Sequence, residues 1–341
     1  MGGIGSPTQF GGELTKNKEI VNRLNELGYD ITTIDSYKAR GNIGKIILIA
    51  FKFLWLTFSH KKTPFLISTS FGNIYPLLKI IKLFNYKPHI VFWAIGGNLA
   101  EKIKQGEYNY KYTRLIDLFI VEGEKMKKDL ENLGIKQVIH LPNFKSVLKL
   151  PLIQKKSEEH ILFYFLSRVT PTKGCDYILK TAQKLNENGY KDKYSIDFYG
   201  SIESNYSESF KKEVNSMDNV SYKGTINFQD PNSYKQLAQY HYMLFPTYWK
   251  GEGFPGVIID AYTCGTPILA SDWNFNSEFV KNGVTGIIYK THSEEELYQV
   301  MENAINMKYD NNMLSMNCQK EVWNYDTKHV ITKELIDKYL N

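Results

Sequence analysis

Short apolar runs alternate with stretches of helical spacing, and the alternation occurs twice along the chain. In the first half, Asp30–Ile34, Phe65–Thr69, His89–Ala94, Leu118–Val121 and Gln137–Leu141 read as strands. Between them, Leu14, Val21, Leu24 and Leu27 repeat at helical spacing from Gly12, and Ile46–Phe58, Pro76–Phe84 and Glu124–Leu133 read as helices. The polar stretch Gln154–His160 then breaks the pattern. Beyond it, Ile161–Leu166, Ser195–Tyr199, Tyr242–Phe245 and Pro267–Ala270 read as strands. Asp176–Asn188, Val257–Thr263, Glu294–Lys308 and Thr327–Leu340 read as helices. A chain that alternates in this way folds into parallel sheets covered on both faces. The expectation is α/β, with two doubly wound (Rossmann-like) domains facing a cleft and ligands at the carboxyl ends of the strands. The domains are expected at residues 1–150 and 151–325, with 326–341 a C-terminal helix returning to the first.

The length of 341 residues agrees with two domains. Three cysteines, Cys175, Cys264 and Cys318, lie far apart without CxxC or Cys/His spacing, so neither a zinc site nor a disulfide framework is expected. A reducing compartment fits them, and no basic-then-apolar signal opens the chain, so a cytoplasmic location is expected. Charge is uneven: residues 1–150 hold 22 Lys and Arg against 12 Asp and Glu, a net +10, while the remainder is net −4. That balance points to an anionic surface or ligand at the first half, such as a bilayer or phosphates. No helix-turn-helix, zinc-finger or RNP pattern accompanies it, so nucleic acid is not an expected partner.

Two constellations carry chemistry. Ser167-Arg168-Val169-Thr170-Pro171-Thr172-Lys173-Gly174 follows an apolar strand and precedes a helix. Arg168 offers a bidentate fork and Lys173 a mobile point charge, a combination that suits a diphosphate; the plainer reading is a solvated loop with two surface cations. Second, Gly251-Glu252-Gly253-Phe254-Pro255-Gly256 leads into a helix whose first turn is expected to contain Pro255. Such a terminus presents free amides to a phosphate or a sugar oxygen. Asp260 lies eight residues after Glu252, about two helical turns, so both carboxylates are expected to face one cleft and accept hydroxyls of a sugar and a ribose. The plainer alternative is dipole compensation by Glu252 and a solvated Asp260.

Arg168…Lys173 followed by Glu252-x7-Asp260 resembles the donor-site signature of GT-B glycosyltransferases of family 4, the retaining group with an E-x7-E motif. The resemblance continues through Cys264-Gly265-Thr266-Pro267 and Glu278–Gly286, and back to Leu141-Pro142-Asn143-Phe144 and Gly11-Gly12, so nearly the whole chain is covered. It implies a GT-B architecture, a nucleoside diphosphate sugar as donor, retention of anomeric configuration, and no metal or other cofactor. By resemblance, Arg168 and Lys173 hold the diphosphate, Glu252 meets the transferred sugar, and Asp260 meets the ribose. Gly253, Phe254, Pro255 and Gly256 complete the donor loop. A glycan or polyprenyl-linked acceptor, as in surface polysaccharide and capsule assembly, is the implied second substrate.

Three departures stand out. The second acid is Asp260 rather than Glu, one methylene shorter. Phe92-Trp93-Ala94-Ile95-Gly96-Gly97-Asn98 holds no His where many relatives place one, which leaves Asn98 and the Gly96 and Gly97 backbone for acceptor or donor. Relatives open with an apolar strand before the first Gly-rich loop, whereas this sequence opens Met1-Gly2-Gly3, so the first strand is expected to be missing and the first domain poorly stable. Gly3-Ile4-Gly5 begins a GxGxxG pattern, but Thr8 breaks it and no strand precedes it, which speaks against a dinucleotide site. Gly11-Gly12 reads instead as a cleft loop. A non-catalytic GT-B subunit that binds a sugar or partner enzyme is the rival reading.

Lys45–Phe58 is apolar almost all round, with Lys45 and Lys52 as a narrow polar stripe and His60, Lys61 and Lys62 following. Two readings stand: a helix lying in a membrane interface, or a helix buried against the sheet. Leu77–Lys87 would extend the same surface. Peripheral attachment to the inner face of the cell membrane follows from the first.

Overall fold

The computed structural model describes residues 1–341 apart from 7–10, 40, 61–62, 85–86, 148, 154–155 and 341, with Pro231 described by its backbone alone. Thr8, Lys61, Lys62, Gln154 and Lys155, on which parts of the sequence reading rest, lie outside the described residues. Two compact units emerge: Met1–Ser146 with Gly253–Pro255 and Tyr325–Asn341, and Val147–Glu252 with Gly256–Asn324.

The first unit holds a parallel sheet of β1 (Phe65–Thr69), β2 (Ile90–Ala94), β3 (Leu118–Val121) and β4 (Val138–His140), in that order. Every residue of β2 and β3 is buried, as expected of strands covered on both faces. One face carries the helix Gly12–Glu26 and the C-terminal helix Lys333–Leu340, whose Ile20, Leu24 and Ile336 pack on Val91, Trp93 and Ile120. Arg23 Nε ties the two helical segments together by donating to Ile331 O at 3.0 Å.

The expected strand Asp30–Ile34 is reduced to a single bridge. Gly2 pairs in parallel with Asp35 on one side and Ser68 on the other, so its backbone stands beside β1. Ser68 N donates to Met1 O at 2.8 Å, and Gly2 N donates to Ile34 O at 3.2 Å. A cavity of about 450 Å³, lined by Met1, Ile20, Leu24, Ile34, Leu56 and Leu66 among others, lies behind that bridge.

The second unit holds β5 (Ile161–Leu166), β6 (Tyr194–Tyr199), β7 (Val220–Tyr222), β8 (Tyr242–Phe245), β9 (Ile268–Ser271) and β10 (Gly286–Tyr289). Its sheet is parallel, ordered β10-β9-β8-β5-β6-β7. The chain first winds outward from β5 to β7, then returns to the other side of β5 at β8. The winding therefore reverses between β5 and β8, and open α/β sheets bind ligands beyond the carboxyl ends of strands at such a reversal. Several elements went unread in the sequence: β7, β10 and the helices Ser207–Asn215, Pro231–Leu237 and Asn311–Glu321. The final stretch is also two helices rather than one, Thr327–Val330 and Lys333–Leu340.

His241 anchors the start of β8. Its Nδ1 accepts Leu162 N at 2.9 Å and its Nε2 donates to Ser157 O at 2.8 Å. An imidazole that accepts a backbone N–H at one nitrogen has no room for a second proton. Burial pushes its pKa down to about 4, and Lys156 and His160 push the same way. The folded pKa lies below the unfolded one, so the stabilisation is fully present above the unfolded value and is lost as pH falls through the folded value. Unfolding free energy should decline between pH 6.5 and about 4, at up to about 1.4 kcal/mol per pH unit from this group. Urea titrations across that range, compared between wild type and His241→Asn, should show a shallower slope in the variant; equal slopes would remove His241 as the cause.

Candidate functional site

The two strands flanking the reversal deliver the two sequence motifs. Arg168–Lys173 leaves the end of β5, and Thr247–Glu252 leaves the end of β8. Backbone contacts fix the first loop on both sides. Val169 N donates to Ser201 O at 2.9 Å, and Tyr248 N donates to Thr172 O at 3.0 Å. Glycine is needed where these loops touch. Gly200, at φ +140°, lies so close that a Cβ there would overlap Ser167 O. Gly174, at φ +81°, would likewise collide with Pro246 O.

Lys173 and Glu252 are 6% and 5% exposed, and they meet as an ion pair between Nζ and Oε2. Thr247 Oγ1 donates to the same carboxylate oxygen at 2.8 Å. Desolvation lowers the Lys173 pKa from its ordinary value, against the opposing pull of Glu252. The ammonium therefore stays charged chiefly through its partner. Trp249 supplies the floor. The Arg168 guanidinium lies 5.3 Å from its ring centroid and Lys173 Nζ lies 4.8 Å from it. Trp273 Nε1 donates to Trp249 O at 2.9 Å, and Gly251 is close enough that a Cβ would lie 2.8 Å from the ring. Arg168 itself is exposed. The arrangement is a pair of cations stacked on one indole, one open to solvent and one held by a buried acid.

Asp260 sits on the helix Gly256–Cys264, is 1% exposed, and accepts Tyr234 Oη at 3.1 Å. Pro255 precedes this helix instead of lying in its first turn, so Asp260 stands little more than one turn into it. Asn274 Nδ2 donates to Glu252 O at 2.7 Å, holding the loop from its other side.

Gly253, Phe254 and Pro255 belong to the first unit. Phe254 N donates to Glu122 Oε2 at 3.1 Å, and Asn143 Nδ2 donates to Phe254 O at 2.8 Å. A Cβ at Gly253 would lie 2.8 Å from the same carboxylate. Glu122, directly after β3, is also paired with Lys16 at 2.5 Å, and both side chains are buried. Lys16 Nζ stands 4.7 Å over the Trp93 ring, and desolvation lowers its pKa. Gly11, at φ +155°, caps the helix that carries Lys16, and nothing lies within 4 Å of a Cβ built on Gly12. Gly96, at φ +97°, and Gly97 lead to Asn98, which caps the short helix Leu99–Lys104.

Sequence reasoning missed Lys16, Glu122, Trp249 and Tyr234. Two of these left a signal: Glu122 is an acid directly after a wholly apolar run, and Lys16 lies on the helix face that Ile20 and Leu24 bury. Trp249 and Tyr234 left none, since nothing in their spacing marks a platform. Among the described residues, no group of three or more His, Cys, Asp or Glu could hold a metal ion.

The family described as Glycosyl transferases group 1 matches residues 149–321. No curated protein matches the chain by sequence. Among solved structures, sucrose-phosphate synthase from Thermosynechococcus elongatus is similar at TM-score 0.66 and 15% identity, over 89% of this chain and 78% of that one. HepE from Anabaena, in complex with UDP, is similar at TM-score 0.65 and 14% identity, over 93% and 88%. TarM from S. aureus is similar at TM-score 0.60 and 18% identity, over 81% of this chain and 54% of TarM, so this chain spans about half of its length. The shared fold is GT-B, with two parallel-sheet α/β domains.

The buried pair generates a stability prediction. Glu252→Ala leaves a buried ammonium without its partner and should cost roughly 3–5 kcal/mol in denaturant unfolding. Because the unpaired Lys173 would have its pKa depressed further, the deficit should shrink as pH rises toward 10.5, the ordinary lysine value. A deficit that is small, or that does not change with pH, would contradict the pairing.

Proposed function

The chain belongs to the group 1 glycosyl transferases, and from that premise we propose that it is a retaining enzyme of the family 4, E-x7-E type. It moves a sugar from a nucleoside diphosphate sugar to a glycan or lipid-linked glycan acceptor of surface polysaccharide or capsule assembly. The observation that carries this reading is the pair Arg168 and Lys173 on Trp249, beside buried Glu252, at the strand reversal of the second unit.

The chemistry follows from charge. As the bond between the sugar's anomeric carbon and the diphosphate breaks, negative charge gathers on the leaving oxygens. Arg168 and the two Lys173 N–H groups not given to Glu252 stabilise that charge, supplying what a metal would otherwise supply. Glu252 accepts a hydroxyl of the departing sugar, and Asp260, held by Tyr234, accepts a ribose hydroxyl. The acceptor hydroxyl attacks the face from which the diphosphate leaves and gives its proton to a phosphate oxygen, so the anomeric configuration is kept. HepE and TarM were both crystallised with UDP, which makes a uridine nucleotide the first probe to try.

Arg168→Ala should lower turnover by roughly 10²–10³-fold at saturating donor, the loss typical of one preorganised charge stabiliser, with little change in melting temperature because the side chain is exposed. Near wild-type turnover in that variant would refute the diphosphate assignment. The two acids separate by calorimetry with UDP alone. Asp260→Asn should weaken nucleotide affinity itself, while Glu252→Gln, which also loosens Lys173, should damage transfer more than affinity. Equal loss of affinity in both would overturn the division of roles.

A further inference from the structure

The helix Ile43–Ser59 is built inside out. Its only charged side chains point back to its own unit: Lys45 Nζ donates to Tyr37 O, and Lys52 Nζ donates to Thr33 O at 2.9 Å. Its large apolar side chains face the other way. Ile43 is 75% exposed, Leu48 69%, Phe51 70% and Trp55 55%, while Phe53 and Leu56 are buried. Phe58 meets Phe84 edge-on at 5.9 Å, and Leu83 and Phe84 are 83% and 57% exposed, so the apolar surface runs on to the end of the helix Phe71–Leu83. The reading of this segment as a helix buried against the sheet is therefore wrong: too few positions reach the core. Soluble chains rarely leave so many large apolar side chains together in water.

Charge identifies what covers the surface. From Ser36 to Ala100 the sequence holds eight lysines and one arginine and no Asp or Glu. Lys79 and Lys82, on the helix that ends at Leu83, are exposed, while Lys87 beyond it pairs with Asp117 at 2.6 Å. A second copy of the chain would set this cationic region against itself, which like charges oppose. An anionic lipid leaflet complements both properties, taking the apolar side chains at the acyl boundary and the lysines at the headgroup phosphates. No helix among the described residues is long and apolar enough to cross a membrane.

We propose that the exposed face of Ile43–Ser59, continued by Leu83 and Phe84, docks this protein onto a bilayer containing anionic lipid, with the helix lying along the surface. Attachment rests on the residues of this face and not on the transferase reading.

Vesicle sedimentation without donor or acceptor tests it, so that failure here and failure of the transferase reading are distinguishable. Full-length protein should sediment with phosphatidylcholine vesicles containing phosphatidylglycerol and less with phosphatidylcholine alone. Lys79→Glu with Lys82→Glu should weaken binding by roughly tenfold or more at low salt, with a smaller effect at high salt. Phe51→Ser with Trp55→Ser should abolish binding at both salt concentrations while melting as the wild type does, because both side chains are exposed. Three results would overturn the proposal: wild type remaining in the supernatant with anionic vesicles, the serine variant sedimenting like wild type, or a wild-type dimer that the serine variant splits into monomers.

Discussion

A lysine ammonium is among the most expensive side chains to take out of water, and in the second unit Lys173 is held there by one carboxylate. The consequence extends beyond the pair. Lys173 belongs to the loop after β5 and Glu252 to the loop after β8, neighbouring strands in the sheet. Their contact closes a ring that the backbone bond from Tyr248 to Thr172 and the approach of Gly174 to Pro246 complete. Two loops distant in sequence are thereby fixed in register, and Trp249 is set between them under two cations. The site's geometry is stored as a charge balance, and an anionic ligand that draws on Lys173 acts directly on that balance.

The first unit repeats the device with different residues. Lys16 is buried over Trp93 and paired with Glu122, whose second oxygen holds Phe254 N. In both units a buried lysine lies over an indole and is neutralised by an acid just after an apolar strand or in a strand-end loop. Glycine lets the backbone come close at each: Gly253 at Glu122, and Gly174 and Gly200 at the loop after β5. A side chain at Gly174 or Gly200 would have to displace backbone, and one at Gly253 would displace the Glu122 carboxylate.

The sequence made the largely buried strands legible. β1, β2, β3, β5 and β8 are mostly apolar runs bounded by turn formers, and no competing pattern obscures them. β7 and β10, three and four residues long, went unread. The helix Phe71–Leu83 begins well before Pro76, which sequence reading took as its start. A proline inside the helix hides the earlier boundary, because a sequence reading places Pro at a helix start. Within the candidate site, Arg168, Lys173 and Glu252 were legible as charged residues in two strand-end loops, and the structure brings them together around Trp249. Trp249 and Tyr234 were not legible, since supporting residues reach the site through tertiary contacts that leave no spacing in the sequence.

The central claim is that Arg168, Lys173 and Glu252 form a donor site around the diphosphate. A crystal structure of the protein soaked with a nucleoside diphosphate tests it most directly. The account predicts the diphosphate within hydrogen-bond distance of the Arg168 guanidinium and Lys173 Nζ, with Glu252 facing the position of the missing sugar and Asp260 within reach of the ribose. A diphosphate bound away from the loops after β5 and β8, with Arg168 and Lys173 contacting neither phosphate, would contradict it.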